Sequence, residues 1–217
     1  MGAVITSSRY IEEILNLITG LTADMMNSKI CSIMLLDDTG MELEIKATQA
    51  LSQEYRSKPN LKVGQSISGL AVKEKRPITV LDVTKESLYM YPDIARREGV
   101  KSLLSVPMML KDRVIGVVNS YTSKEHHFTD EEIKLLQIVA HQAAIAIENT
   151  KLLNKTIAME EALDTRKSVE RAKGVLMKRH GISEEEAFRI IQKQSMNTRR
   201  TMKEIADAVI LASEIKP

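Results

Sequence analysis

The chain has 217 residues with a formal net charge of +2; 43% of them are hydrophobic and only 3% aromatic. That length allows one ordinary core plus a smaller unit, and so small a charge means that a polyanion partner must be held by locally arranged basic side chains, not by bulk charge. The single cysteine, Cys31, excludes an internal disulfide and a CxxC zinc site within one chain, and no metal is expected. The N-terminus has no basic leader followed by a long apolar run. The most apolar stretch, Leu103 to Leu110, falls far short of the ~20 residues that cross a bilayer. The expectation is a protein of the reducing cytoplasm with no membrane partner.

Apolar residues at Ile11, Ile14, Leu15, Ile18, Leu21 and Met25 predict an N-terminal helix over about 8–27. Cys31 to Leu36 reads as a strand, Asp37-Asp38-Thr39-Gly40 as a turn, and Met41 to Ala47 alternates like a returning strand. Two aspartates after an apolar strand resemble the acidic pocket of receiver domains. A helix should follow there, whereas Thr39-Gly40 turns into another strand, so no phosphoacceptor is assigned. Leu61 to Val72 is a glycine-punctuated stretch opening a short helix. Pro77 to Val83 reads as a strand and Tyr89 to Glu98 as loop and helix. Ser102 to Leu110 and Val114 to Tyr121 are strands joined by the charged turn Lys111-Asp112-Arg113. The order implies an α+β fold with an antiparallel sheet.

Thr129-Asp-Glu-Glu132 is a capping box, and the helix it opens runs through Ile133, Leu136, Ala140, Ala143 and Ile147 to Lys155 or beyond. Neither Gly nor Pro occurs between Thr129 and Arg171. So long a helix bridges two domains or pairs with a copy of itself. The tail divides into three helical segments. The first spans about Glu160 to His180. The second starts at the capping box Ser183 to Glu186 and carries Ala187, Phe188, Ile190 and Ile191 as an apolar face, with Phe188 read as core. The third is capped by Asn197 and Thr198 and carries Met202, Ile205, Ala206, Val209 and Ile210.

No catalytic residues are assigned. His126 and His127 are adjacent and point apart, His141 and His180 stand alone on helices, and Cys31 has no partner thiol. In the tail, the third helix would begin with Arg199, Arg200 and Lys203. A helix dipole opposes cations at its N-terminus, whereas the free N–H groups there attract phosphate. From the residues alone, a solvated face accounts for these charges better than a phosphate site does. Gly174 inside a helix costs about 1 kcal/mol relative to Ala, which close approach of another helix or of a partner would offset.

Several stretches, in order and spacing, resemble a GAF domain: Val63-Gly-Gln-Ser-Ile-Ser-Gly69, Pro77-Ile-Thr-Val-Leu-Asp82, Gly99 to Met108, Val114-Ile-Gly116-Val, Phe128-Thr-Asp-Glu-Glu132, and Ala140 to Asn149. The resemblance implies a sensory module with a six-stranded antiparallel sheet, flanking helices and a small-molecule pocket on one face. Its position in that fold offers Asp82, Tyr89, Tyr91, Ser105 and Asn119 as polar contacts and Leu103, Met108 and Val117 as walls, for a ligand of unknown identity. Cyclic-nucleotide relatives carry an Asn-Lys pair ahead of Phe-Asp-Glu. This chain lacks that pair, which counts against a cyclic nucleotide.

The tail, with Ala162 to Met177 (Arg171-Ala-Lys-Gly-Val-Leu-Met above all), Glu185-Glu-Ala-Phe188, Ser195 to Arg200 and Ile205-Ala206, resembles the ANTAR module. The resemblance implies paired modules that bind tandem-hairpin RNA in nascent transcripts and prevent terminators from forming. It places RNA contacts on Arg166, Lys173, Gly174, Asn197, Thr198, Arg199, Arg200 and Lys203. The expected division is a sensor over 1–150, a helical linker over 151–160 and an RNA-binding module over 161–215, in a homodimer.

Two other classes stay open. Thr201 to Ala206 resembles the first helix of a helix-turn-helix, but few residues follow Ile210 to build a recognition helix, so DNA is not expected. A protein-binding adaptor whose tail is a dimerisation bundle is the third reading.

Overall fold

The computed structural model describes residues 2–50 and 52–214, with side chains from Ile11 onward. The part of the N-terminal helix before Ile11, as far as its side chains go, and Ile215 at the end of the expected RNA-binding module therefore lie outside what is described. The chain divides into two compact units, Met1–Lys151 and Leu152–Pro217.

In the first unit, among the described residues, six strands form one antiparallel sheet in the order β3-β2-β1-β6-β5-β4. The strands are β1 (Ile30–Leu36), β2 (Glu42–Thr48), β3 (Leu61–Lys62), β4 (Ile78–Val80), β5 (Leu103–Leu110) and β6 (Arg113–Tyr121). The helices are α1 (Gly2–Met26), α2 (Gln53–Arg56), α3 (Ile67–Glu74) and α4 (Pro92–Glu98), followed by α5 (Asp130–His180).

Alternation along the central strands separates two apolar layers. One face carries Ile30, Met34, Leu103, Val117 and Tyr121, packed with Ile67, Ala71 and Val72 of α3 and Ala95 of α4. The other carries Cys31, Ile33, Leu35, Leu104, Val106 and Val118, packed with Leu15 of α1 and with Leu136, Ala140, Ala143 and Ile147 of α5. Strands buried on both faces explain why β1 and β5 read as near-continuous apolar runs.

The β1–β2 hairpin turns on Asp37. Its carboxylate accepts from the backbone N–H of Met41 and Glu42 at 2.9 and 3.0 Å and from the Thr39 hydroxyl at 2.5 Å. Those bonds, the Thr39 hydroxyl foremost, hold the carboxyl below its ordinary range. The acid is thus committed to a turn.

Cys31 is fully buried in the second layer, and burial pushes its thiol from near 9 up to about 12. The folded state therefore prefers the neutral thiol. That contribution to stability is complete below about pH 9 and lost as pH rises towards 12. An alkylating reagent near pH 8 is expected to leave Cys31 unmodified in the folded chain and to label it once urea is added, because the thiolate is the reactive form. Labelling of the folded chain, read by intact mass, would contradict this burial.

Helix α5 opens on the expected box: Glu132 accepts from the Thr129 N–H at 2.7 Å, and Thr129 accepts from the Glu132 N–H at 3.3 Å. It continues without a break for 51 residues, so the linker and the first tail helix are one element.

In the second unit, the end of α5 meets α6 (Glu184–Thr198) and α7 (Met202–Glu214). Val169, Ala172 and Leu176 pack with Ala187, Ile191, Ile205 and Ala206. Phe188 and Ile190 depart from expectation. Both lie outside this small core, and Phe188 is 39% exposed. Ala187 and Ile191, four residues apart, set the inward face of α6, and the helical turn carries Phe188 and Ile190 to its two flanks.

The α6 box is complete, with Ser183 accepting from the Glu186 N–H at 3.2 Å and Glu186 from the Ser183 N–H at 2.9 Å. Ser183→Ala is expected to lower tail stability by about 1 kcal/mol, read by amide exchange across α6 in the full chain. Unchanged exchange would show that this cap contributes nothing.

Candidate functional site

The first site lies on the α3 face of the sheet. Ser32 on β1, Asn119 on β6 and Ser105 on β5 are direct cross-strand partners and form one polar row through an otherwise apolar layer. All three are essentially fully buried. The Ser68 hydroxyl of α3 donates to Asn119 Oδ1 at 3.1 Å, and Ser32 Oγ lies 3.3 Å from the Tyr55 hydroxyl. Asn119 Nδ2 and Ser105 Oγ have no partner, an arrangement that burial normally penalises by about 1–3 kcal/mol per group.

Beside this row stand Tyr55 and Tyr121, their rings edge to face at 6.2 Å. Tyr89 and Tyr91 approach from the segment before α4. The Tyr91 hydroxyl donates to the Pro59 carbonyl at 3.2 Å. Burial, then the neighbouring phenol of Tyr55, raise both Tyr89 and Tyr121 well above 10, so both stay protonated. The space they leave, lined also by Lys58, Ser66 and Ser68, is about 10 Å³, room for a single water. The Lys58 ammonium lies 3.8 Å from the centre of the Tyr55 ring.

Of the eight residues expected here, Tyr89 and Tyr91 line that space, Ser105 and Asn119 sit in the polar row, and Leu103 and Val117 share its face. Two are elsewhere. Met108 belongs to the opposite layer against α1 and α5, because strand alternation turns it away from Ser105 and Val117. Asp82 is committed to the loop after β4. It accepts from the Thr84 N–H and hydroxyl at 2.9 and 2.6 Å and pairs with Lys101 and Lys85 at 3.0 and 3.1 Å, bonds that hold its carboxyl well below the carboxylate range.

Ser32, Tyr55, Lys58, Ser68 and Tyr121 escaped the sequence reading. Two had a signal: Ser32 is the only polar residue in the run Ile30–Leu36, and Tyr121 shares its strand face with Asn119. Among the described residues no cluster of three or more His, Cys, Asp or Glu is arranged to hold a metal.

The second site is the turn between α6 and α7. The third helix does not begin where its apolar pattern and Asn197-Thr198 suggested. Asn197 and Thr198 form the last turn of α6, the Thr198 hydroxyl donating back to the Gln194 carbonyl at 2.7 Å. The true cap of α7 is Thr201, in a reciprocal box with Glu204: Thr201 N–H to Glu204 at 2.7 Å, and Glu204 N–H to Thr201 at 3.2 Å. Glu204 thus occupies the helix end that had been assigned to phosphate.

Arg199 and Arg200 move to the C-terminus of α6, where the dipole favours cations. Arg199 is in the left-handed conformation at φ 56°. The Arg200 N–H bonds the Ser195 carbonyl at 3.2 Å and its carbonyl accepts from the Ser195 hydroxyl at 2.6 Å. The opposition between dipole and charge seen in the sequence is therefore removed.

The remaining tail residues divide. Arg166, Arg199 and Arg200 are exposed, with no carboxylate within ion-pair distance among the described residues. Lys203 is 3.9 Å from Asp164. Lys173 is buried, its ammonium 2.8 Å from Glu170 and 2.6 Å from Glu184, and those two carboxylates raise its pKa. It ties α5 to the start of α6 and does not face outward. Gly174 is exposed, and a Cβ added there meets nothing within 4 Å, so helix packing within the chain does not explain it.

No helix among the described residues is long and apolar enough to cross a membrane. The family model described as GAF domain matches residues 8–148, and that described as ANTAR domain matches 158–210. Over 63 residues the chain is 46% identical to the transcriptional regulatory protein PdtaR of Mycobacterium tuberculosis, covering 29% of this chain and 31% of that one. Over 77 residues it is 36% identical to the nitrate regulatory protein of Klebsiella oxytoca, covering 36% and 19%. The chain thus spans a third or less of these relatives. The GAF domain of a phosphoenolpyruvate-protein phosphotransferase from Coxiella burnetii superposes with a TM-score of 0.60 at 22% identity, covering 71% of this chain and 99% of that one, which shows the fold. The chain is a member of the GAF domain family that carries a C-terminal ANTAR domain.

Proposed function

We propose that the chain is a transcription antitermination regulator, with the ANTAR unit binding paired RNA hairpins in nascent transcripts and the GAF unit setting that activity in response to a small ligand. The observation that carries the RNA reading is the turn after α6. It presents two arginines that have no ion-pair partner among the described residues, in a module matched to the ANTAR family. Arg166 adds a third such cation on α5. Asn197, in the last turn of α6 beside the two arginines, suits unpaired loop bases, the usual target of sequence-specific RNA recognition.

A homodimer completes the proposal. Ile138, Ile145, Leu152 and Met159 recur on α5 at intervals of seven, and all but the half-buried Ile145 are exposed. Seven residues is the heptad repeat of a left-handed coiled coil, in which this stripe would fill one of the two seam positions. α5 contributes to the cores of both units, which makes it the element through which a ligand would act.

The test is to sequence RNA that co-purifies with the full chain and with the Arg199→Ala/Arg200→Ala variant. Enrichment of paired hairpins that vanishes in the variant supports the reading. Enrichment of duplex DNA, or of neither nucleic acid, would replace it with a DNA-binding regulator or a protein-binding adaptor. A helix-breaking insertion near Asn154 that left RNA affinity and its regulation intact would sink the coupling through α5.

A further inference from the structure

Four of the five tyrosines of the chain gather around the space beneath Tyr89, and a single charged side chain, Lys58, lines it. No carboxylate lines it. Ser68, which lines it, bonds Asn119 in the polar row behind, where Asn119 Nδ2 and Ser105 Oγ are buried without partners. The phenols of Tyr89 and Tyr121, which stay protonated, also border the space, whereas the Tyr91 O–H is given to the Pro59 carbonyl. The half-buried Lys58 lies against the Tyr55 ring at 3.8 Å with no carboxylate within ion-pair distance among the described residues. A guest here would meet donors and one cation, and must itself supply acceptors and negative charge.

Size and shape follow from the cover. The open space is only about 10 Å³. Tyr89 is half-buried, and it stands between two exposed apolar residues, Leu88 and Met90, in the segment leading to α4. If its ring swings outward it leaves a slot the size of one aromatic ring, walled by the edges of Tyr121 and Tyr91 and bordered by Lys58. Aromatic walls hold flat rings by edge and offset contacts.

We propose that this slot receives a small aromatic monocarboxylate, its ring replacing that of Tyr89 and its carboxylate reaching Lys58. The inference rests on reading the GAF unit as a small-ligand sensor and names the ligand class. Tyr89 is then both lid and stand-in for the ligand.

Calorimetric titration of the full chain with benzoate, benzamide and benzylamine tests it. The three probes share a ring and differ in charge. Benzoate is expected to bind saturably and about ten-fold more tightly than benzamide, and benzylamine not at all. Tyr89→Ala opens the slot and is expected to tighten benzoate about ten-fold by removing the competing ring, whereas Lys58→Gln abolishes the preference for benzoate over benzamide. Thermal unfolding of each variant checks that it remains folded, and Lys58→Arg, which keeps the charge, should retain the preference.

Equal binding of benzoate and benzamide, or a preference untouched by Lys58→Gln, overturns the anion class. If benzamide or benzylamine binds better and gains from Tyr89→Ala, the sensor reading stands and the ligand class falls. If no probe binds the wild type or the Tyr89→Ala variant, this slot is not a receptor for aromatic ligands and the proposal is lost. None of these outcomes bears on RNA binding by the tail, so the two readings fail separately.

Discussion

Replacing Arg199 by glycine is expected to leave the tail as stable as before, or more stable by up to about 1 kcal/mol, while weakening hairpin-RNA binding about ten-fold. The two effects separate because Arg199 occupies a left-handed C-cap, at φ 56°, where glycine is the commonest residue. An L-residue there costs on the order of 1 kcal/mol, and the greater freedom of glycine in the unfolded chain offsets part of that gain. Glycine can therefore remove the Arg199 side chain without cost to the fold, which makes the replacement a clean test of its contact with RNA. The double replacement Arg199→Ala/Arg200→Ala should lower affinity about a hundred-fold. It should also flatten the dependence of log K on log salt by about 1.4 to 1.8, since each lost phosphate contact removes roughly 0.7 to 0.9. Affinity measured at several salt concentrations decides the matter. An Arg199→Gly variant that binds RNA with unchanged affinity and salt slope would take this turn out of the interface. A variant that loses both binding and stability would make the arginine a structural residue.

The turn after α6 also shows where a sequence can mislead. Asn and Thr are good N-caps, and Asn197-Thr198 precede the apolar run Met202, Ile205, Ala206. The competing box three residues on, Thr201 to Glu204, has the same chemistry and closes both ways. Two candidate caps so close together leave the choice to the backbone, and the Ser195–Arg200 closure decides it by ending α6 at Thr198. The burial of Lys173 was hidden for a different reason. Periodicity placed it beside Arg166 and Lys178 on the polar side of its helix, but Glu184, which buries it, belongs to the next helix, and one helix's period says nothing of its neighbour's charges.

The sheet was legible because β1 and β5 are short apolar runs, β2 alternates, and the turns between strands carry Asp, Gly and paired charges. The long helix was legible because nothing between Thr129 and Arg171 interrupts it. The polar row was half legible. Ser105 and Asn119 came from the resemblance, whereas their pairing with each other and with Ser32 depends on the register of three strands, which no local pattern states. Met108 shows the same limit. It stands three residues from Ser105, and only strand alternation reveals that it faces the other layer.

The same substitution, Gly→Ala, is expected to have opposite effects at two positions. At Gly116 a Cβ would lie 2.2 Å from the Met34 carbonyl oxygen, 2.7 Å from Met108 Cε and 3.0 Å from Leu35 Cα. The Met108 end can move, but the Met34 and Leu35 atoms are backbone of the neighbouring strand. The β1–β6 pair must therefore part where Leu35 faces Gly116, three pairs from Ser32 and Asn119. A loss of at least about 3 kcal/mol follows, the upper range for overpacking, because rigid strands cannot repack around the clash. The polar row should be disturbed with it. At Gly174 the added Cβ meets nothing and the site is an exposed helix interior, so Gly174→Ala should stabilise the tail by up to about 1 kcal/mol. Denaturant unfolding, followed by tyrosine signals for the sensor and by helix signal for the tail, separates the two. A Gly116→Ala chain of wild-type stability would refute the β1–β6 register. RNA affinity of Gly174→Ala adds a further reading. If binding falls while stability rises, the glycine is there to let RNA approach the helix backbone; if binding is unchanged, Gly174 lies outside the contact and Arg166, Arg199 and Arg200 carry it.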